Sequence, residues 1–386
     1  MVIDITESNY RDFLDVPPRG PGFSSIRDVL IHAGDKTFDV GKYIESGLCY
    51  SRVRNMRNVL LYEDEMDPNV ISYWEKYGKG LKKVIHNSDD SKLKWVSYLP
   101  LSALKGKKAE RKYPVLFVIH PVQCFTRESW GFTHLAAEEE IILVIPQNCD
   151  IDRITALIDE IRASLPIDPE RVYLAGHSLG GLQAQHIGLQ NINKVAAISL
   201  IGSHIRVSWQ PYPNEPDRVK MPVYSDDDIK KFAKNNLPII NANGLCDFGH
   251  PFPFHEDYTD ASWHWGAHVH TVKDSLDAAN FWLTINNCKK VTTADIMATQ
   301  KQPDQYICER KIGLPFTSSH VAIIAGTPHY FGNVASWDGI VRTSFIAVDN
   351  APHEVVPSCP KLTWEFLKRF SRDLQSGASV YDSGKS

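Results

Sequence analysis

RVYLAGHSLGG, residues 171–181, starts as a strand and finishes as a helix. Arg171 to Gly176 is a short apolar run with the β-branched and aromatic residues that strands favour, and Gly180 onward reads as helix. The turn between them is Gly176-His177-Ser178-Leu179-Gly180. Gly-x-Ser-x-Gly alone is a common string. Between a strand and a helix it predicts a sharp turn in which small residues at 176 and 180 let the chain reverse and Ser178 stands at the end of a sheet. The other expectation for this serine is an ordinary helix cap in a glycine-rich turn.

Outward from this stretch the pattern repeats. Short apolar runs occur at LKWVSYLP (93–100), YPVLFVIH (113–120), IILVIP (141–146), KVAAISLIG (194–202), LPIINANG (237–244) and IVRTSFIAVD (340–349). Runs apolar on both faces suit strands covered by helices on both sides. Helical segments alternate with them. In IDRITALIDEIRASL (151–165), Ile151, Ile154, Leu157, Ile158, Ile161 and Leu165 recur at helical spacing behind a cap at Asp150. Further helices are expected in 181–191, 226–236, 275–287 and 360–374. The fold class is α/β, a doubly wound, mostly parallel sheet.

Residues 1–90 carry weaker periodicity, with a Pro/Gly stretch at 16–22, and are expected to form an N-terminal extension packed on the core domain, 91–386. Within that domain 203–226, 248–274 and 288–335 are too long for plain loops. They follow sheet strands, where ligand sites of α/β folds collect, and are expected to supply a cap and a substrate pocket. Their aromatic residues Trp209, Phe252, Phe254, Trp263 and Trp265 offer flat surface for a bulky or aromatic ligand, with His120 and His177 beside them.

Composition narrows the function. With 386 residues, 43% hydrophobic, 23% charged and a net charge of −4, the chain has room for a large core and no basic footprint for nucleic acid. Neither a secretory leader nor an apolar run of about 18 residues is visible, so a cytoplasmic protein without a membrane partner is expected, or a secreted one if a leader was removed. The seven cysteines are scattered and never spaced as CxxC, which argues against a disulfide framework or zinc knuckle. The histidine-rich segment 250–270 has no spacing that fixes a metal tetrahedron, so neither a metal nor another cofactor is expected.

A serine hydroxyl is a weak nucleophile unless a histidine takes its proton and a carboxylate orients that histidine. Of fifteen histidines, His353 follows a strand near the C-terminus and precedes a terminal helix. Asp247, three residues beyond LPIINANG, has the matching position for the acid, with Asp349 or Asp274 as the fallback. Ser178, Asp247 and His353 then follow in the chain order serine, acid, histidine. The N–H of Leu179, opening the helix, is placed to meet an oxyanion.

The segments YPVLFVIHP, IILVIPQ, IDPERVYLAGHSLGG, NGLCDFGHPFP and NAPHEVVPSCPKLTWEFLKRFSR together resemble the α/β-hydrolase esterases of the polyhydroxybutyrate-depolymerase-like and feruloyl-esterase-like group, over about residues 92 to 375. The resemblance implies an α/β-hydrolase fold, a triad of Ser178, Asp247 and His353, and hydrolysis of esters of hydroxy acids or hydroxycinnamates without a metal. One departure stands out. That group usually has His-Gly after its third strand, and this chain has His120-Pro121-Val122-Gln123. Proline has no N–H, so the second oxyanion donor is expected at Val122 or Gln123. The expected function is a serine hydrolase cleaving a carboxylic ester. The same machinery would serve a peptidase, thioesterase or acyltransferase, and a non-catalytic ligand-binding protein is the alternative of another class.

Overall fold

The computed structural model describes residues 80–91, 93–104, 111–120, 129–146, 150–203, 205, 224–247, 252–254, 258–259, 269–270, 272–324, 326–353, 355–356 and 358–385. In chain order the elements are β1 (Leu81–Asn87), β2 (Lys94–Pro100), β3 (Tyr113–Ile119), α1 (Ser129–Glu139), β4 (Ile142–Pro146), α2 (Ile151–Ser164) and β5 (Ile167–His177). Next come α3 (Leu179–Gln190), β6 (Ala197–Ile201), α4 (Asp226–Asn235), β7 (Ile239–Gly244), the short strands β8 (Tyr258–Thr259) and β9 (Val269–His270), and α5 (Val272–Ile285). The chain closes with α6 (Thr293–Thr299), α7 (Ile307–Ile312), β10 (Ser318–Ile324), β11 (Thr327–Ala335), β12 (Val341–Val348), α8 (Cys359–Leu367), β13 (Phe370–Arg372) and β14 (Ser379–Tyr381).

One ten-stranded sheet organises the molecule, in the order β1-β2-β4-β3-β5-β6-β7-β12-β11-β10. From β4 to β12 every neighbouring pair is parallel; β1 and β2 at one end and β11 and β10 at the other are antiparallel. Alternate residues of a strand feed opposite faces. Val115, Phe117 and Ile119 of β3 join one apolar cluster with Ile154, Leu157, Ile158 and Ile161 of α2 and Ala184 and Ile187 of α3. Leu116 and Val118 join the other, with Phe132 and Leu135 of α1 and Trp364 and Leu367 of α8. Both faces of the parallel strands are therefore covered, which is why those strands read as continuous apolar runs.

The helices start where their sequences say they should. Asp150 caps α2 by accepting from the N–H of Arg153 at 2.9 Å. Ser225 and Asp228 form a capping box on α4, whose first turn carries Asp226, Asp227 and Asp228 against the positive end of the helix dipole.

Three expectations need revising. The sheet begins at Leu81, inside the segment assigned to the N-terminal extension, because β1 pairs with β2 over its full length. Residues 288–335 are only partly a connection: they hold α6, α7 and the hairpin β10–β11, which extends the sheet beyond β12. The terminal helix, expected to reach Leu374, stops at Leu367. Arg372 explains the stop. Its guanidinium is buried and donates to the carbonyls of Val195, Asn235, Asn236 and Gly377 at 2.8–3.0 Å, and to that of Ala196 at 3.4 Å. A continuing helix would deny those carbonyls their donors. The chain instead forms the ribbon β13–β14, and Phe370 accepts from the hydroxyl of Tyr173 at 2.7 Å.

A mostly parallel, doubly covered sheet has a strand–serine turn–helix at its centre. A carboxylate loop follows β7 and a histidine loop follows β12. This is the α/β-hydrolase fold.

Candidate active site

Ser178 lies between the end of β5 and the first residue of α3, with φ 54° and ψ −122°. Few residues other than glycine take such a backbone. The surroundings hold it there. Its N–H donates to the carbonyl of Ile201 on β6 at 3.0 Å, and its carbonyl accepts from Gly181 at 3.0 Å and Leu182 at 3.2 Å. The turn closes only because 176 and 180 lack side chains. A Cβ on Gly176 would lie 2.2 Å from the carbonyl oxygen of Gly180, and one on Gly180 would lie 2.2 Å from that of Ile119 and 2.7 Å from that of His120. These contacts are with backbone, which cannot step aside.

The side chain of Ser178 makes no cap hydrogen bond to α3, so the capping-serine expectation fails. Leu179 is the first residue of α3, and in an α-helix the first N–H groups have no acceptor within the helix. They point, with the positive end of the dipole, at whatever sits beside Ser178.

The acid and histidine arrive on separate loops. Asp247 follows β7 by three residues and His353 follows β12 by five. Glycine again permits the approach: a Cβ on Gly244 would meet the carbonyl oxygens of Ala351 at 2.0 Å and Pro352 at 2.8 Å. Backbone bonds from Leu245 to Val348 and from Cys246 to Ala351, each 2.9 Å, join the two loops. At their tips Nδ1 of His353 lies 2.8 Å from Oδ2 of Asp247, and both side chains are buried. A carboxylate accepts, so the ring donates through Nδ1 and leaves Nε2 as its other functional atom. Asp247 is the carboxylate the structure shows paired with His353.

The remaining predicted residues divide. His177 packs its ring against that of His353 with centroids 4.8 Å apart. His120, at the end of β3, is buried next to the elbow glycine. Phe252 and Phe254 face inward, 3% and 7% exposed, with rings against each other and against Phe345 at 5.4–6.1 Å. Their aromatic surface goes into the core, so a ligand would meet little of it. Val122, Gln123, Trp209, Trp263 and Trp265 lie outside the described residues. Among the described residues, no group of three His, Cys, Asp or Glu side chains is placed to hold a metal, and no helix is long and apolar enough to cross a membrane.

Behind the elbow α3 is fixed in the core. His186 shares a 2.7 Å hydrogen bond with the hydroxyl of Tyr224, and burial depresses its pKa to about 4. Gln185 accepts from the indole N–H of Trp282 on α5 at 3.1 Å. Sequence reasoning did not single out these partners or Gly202 and Gly244, since a glycine's packing role depends on which backbone approaches it.

No protein-family model matches the chain, and no curated protein matches it. Among solved structures the chain is similar to a fluorophosphonate-binding serine hydrolase of Staphylococcus aureus, at 14% identity over 42% of this chain and 78% of that one, TM-score 0.35. It is also similar to an S-formylglutathione hydrolase from Agrobacterium tumefaciens, at 15% identity over 48% and 79%, TM-score 0.35. A third is an acetyl xylan esterase from Aspergillus awamori, at 10% identity over 75% and 98%, TM-score 0.44.

Proposed function

We propose that this α/β-hydrolase chain is a serine hydrolase that cleaves a carboxylic ester through an acyl-enzyme. The observation that carries the reading is the buried His353–Asp247 pair at the same sheet end as a serine held in a strained elbow.

In this reading Nε2 of His353 takes the proton of Ser178 as Oγ bonds to the ester carbonyl carbon. The carbonyl oxygen becomes an oxyanion, met by the N–H of Leu179 and by a second donor, for which the sequence offers Val122 or Gln123. The carbon–alkoxide bond breaks, and the alcohol leaves with the proton held on His353. Water then gives a proton to His353 and its oxygen to the acyl carbon, and Oγ departs with that proton as the acid is released. Asp247 keeps Nδ1 protonated throughout, so that the ring faces the serine with the correct nitrogen. No cofactor enters these steps. The aromatic residues Trp209, Trp263 and Trp265, on connections that follow sheet strands, support a bulky or aromatic ester.

The test is a panel of p-nitrophenyl esters, aryl and sugar esters, thioesters and aminoacyl amides, run on the wild type and on Ser178→Ala. Ester turnover that disappears with the serine supports the reading. Turnover of amides or thioesters alone would transfer the proposal to a peptidase or thioesterase. No turnover of any acyl compound would leave the binding-protein alternative.

A further inference from the structure

β7 carries two side chains that do not belong in an apolar strand. Asn241 and Asn243 are 1% and 3% exposed, on the face that sends Ile239 into the core. A buried amide is costly unless its hydrogen bonds are made. Both amides reach one residue of the neighbouring chain segment, Ser203, and Asn241 also donates to the carbonyl of Leu200 at 3.5 Å. Oδ1 of Asn243 accepts from the Ser203 N–H at 3.2 Å, and its Nδ2 donates to the Ser203 carbonyl at 3.3 Å. Nδ2 of Asn241 donates to the same carbonyl at 2.8 Å and to Oδ1 of Asn243 at 3.2 Å.

Ser203 needs a clamp because the sheet has ended. β6 stops at Ile201, and the last ladder bond runs from the N–H of Gly202 to the carbonyl of Ala242 at 2.9 Å. Gly202 then turns with φ +50°, and beyond it the asparagine side chains replace the ladder. What the turn supports is the histidine pair. A Cβ on Gly202 would lie 3.0 Å from Cδ2 and Nε2 of His177 and 3.4 Å from Nδ1 of His353. The missing side chain of Gly202 thus leaves the space that both imidazoles approach.

We infer that Asn241 and Asn243 are positioning residues for His353, acting through Ser203 and Gly202. β7 and the loop that follows it then hold the histidine twice, through Asp247 at its Nδ1 and through the asparagine clamp on the turn at Gly202 beside it. The catalytic meaning of this rests on the ester-hydrolase reading; the positioning itself does not.

The experiment therefore reads the ring directly. The protein is labelled with 15N-histidine, and the Nδ1–H signal of His353 is identified by its absence in Asp247→Ala. In Asn243→Ala we expect that signal to move and its proton to exchange with water at least about tenfold faster, while the protein still unfolds cooperatively. Gly202→Ala leaves the asparagines intact and presses on the rings from below, so it should perturb the same signal. If Asn243→Ala does not fold, Asn241→Ala, which keeps both bonds of Asn243 to Ser203, decides the question. An unchanged signal and exchange rate in a folded variant of either kind would overturn the clamp. Turnover supplies the separate reading: kcat should fall about 100-fold with KM within about twofold, as for a misplaced reacting group. A wild type with no acyl-transfer activity would sink the ester-hydrolase reading, and the NMR signals would still decide for or against the clamp.

Discussion

Nδ1 of His353 lies 2.8 Å from Oδ2 of Asp247, and the carboxylate is shut off from solvent. The residues come from loops 106 positions apart. They meet because β7 and β12 are parallel neighbours and Gly244 lets the loops touch. Asp247→Asn keeps the shape but lets the amide donate to Nδ1, which selects the wrong tautomer. We expect kcat to fall by about four orders of magnitude with little change in KM and no loss of fold. Steady-state kinetics beside a circular dichroism spectrum checks both halves. Retention of more than about a tenth of wild-type kcat would remove Asp247 from the mechanism.

The elbow should tolerate no side chain at Gly180. In Gly180→Ala the new methyl meets the Ile119 carbonyl oxygen at 2.2 Å, and neither the strand nor the helix can retreat without breaking the β3–β5 register. The expected cost is about 3 kcal/mol, the upper end of the usual range for overpacking. Urea unfolding measures it, and a variant within about 1 kcal/mol of wild type, close to the error of the method, would show the turn to be looser than described.

Acid should weaken the fold through His186. Burial lowers its folded pKa from 6.5 to about 4, so between those values the unfolded chain binds a proton that the folded chain refuses. The contribution is fully present above pH 6.5 and drains away as pH falls towards 4. Its full size is about 3 kcal/mol. His329, enclosed between the Thr327 carbonyl and the Ser358 hydroxyl, has its pKa lowered by burial and adds in the same direction. Urea midpoints from about pH 7 to about pH 4 should fall for the wild type and fall less steeply for His186→Phe. Equal slopes would rule out His186 as the titrating group.

Much of this was legible in the sequence. The elbow, the acid and the histidine each follow an apolar run that ends abruptly, and of fifteen histidines His353 stands out by following such a run just before the terminal helix. Other parts were illegible for physical reasons. The β10–β11 hairpin does carry a short apolar run, Val321 to Ile324, but it lies at the sheet edge with Val321 and Ile323 exposed, inside a stretch rich in Ser, His, Gly and Pro that reads as a connection. The helical spacing of LTWEFLKRF continues past Leu367, and only carbonyls from distant segments, at Val195 and Asn235, show why Arg372 leaves the helix. Asn241 and Asn243 look like blemishes in a strand until the neighbouring turn at Ser203 is seen to need them.

Arg372 should matter for stability alone. The carbonyls it serves at Val195, Ala196, Asn235 and Asn236 precede β6 and β7, at the sheet end away from the elbow. Arg372→Met leaves them buried without donors, at a cost of about 3 kcal/mol or more. The folded fraction should keep wild-type kcat. A stable Arg372→Met protein with depressed kcat would contradict this separation.

The central claim is that Ser178 is a nucleophile made reactive by His353 and Asp247. Reaction with a fluorophosphonate, followed by mass spectrometry of the peptide containing residues 171–190, tests it most directly. One stoichiometric phosphonyl group is expected on Ser178, absent from Ser178→Ala and slowed by at least about a thousandfold in His353→Ala. A label on another residue, or an unlabelled and correctly folded wild type, would contradict it.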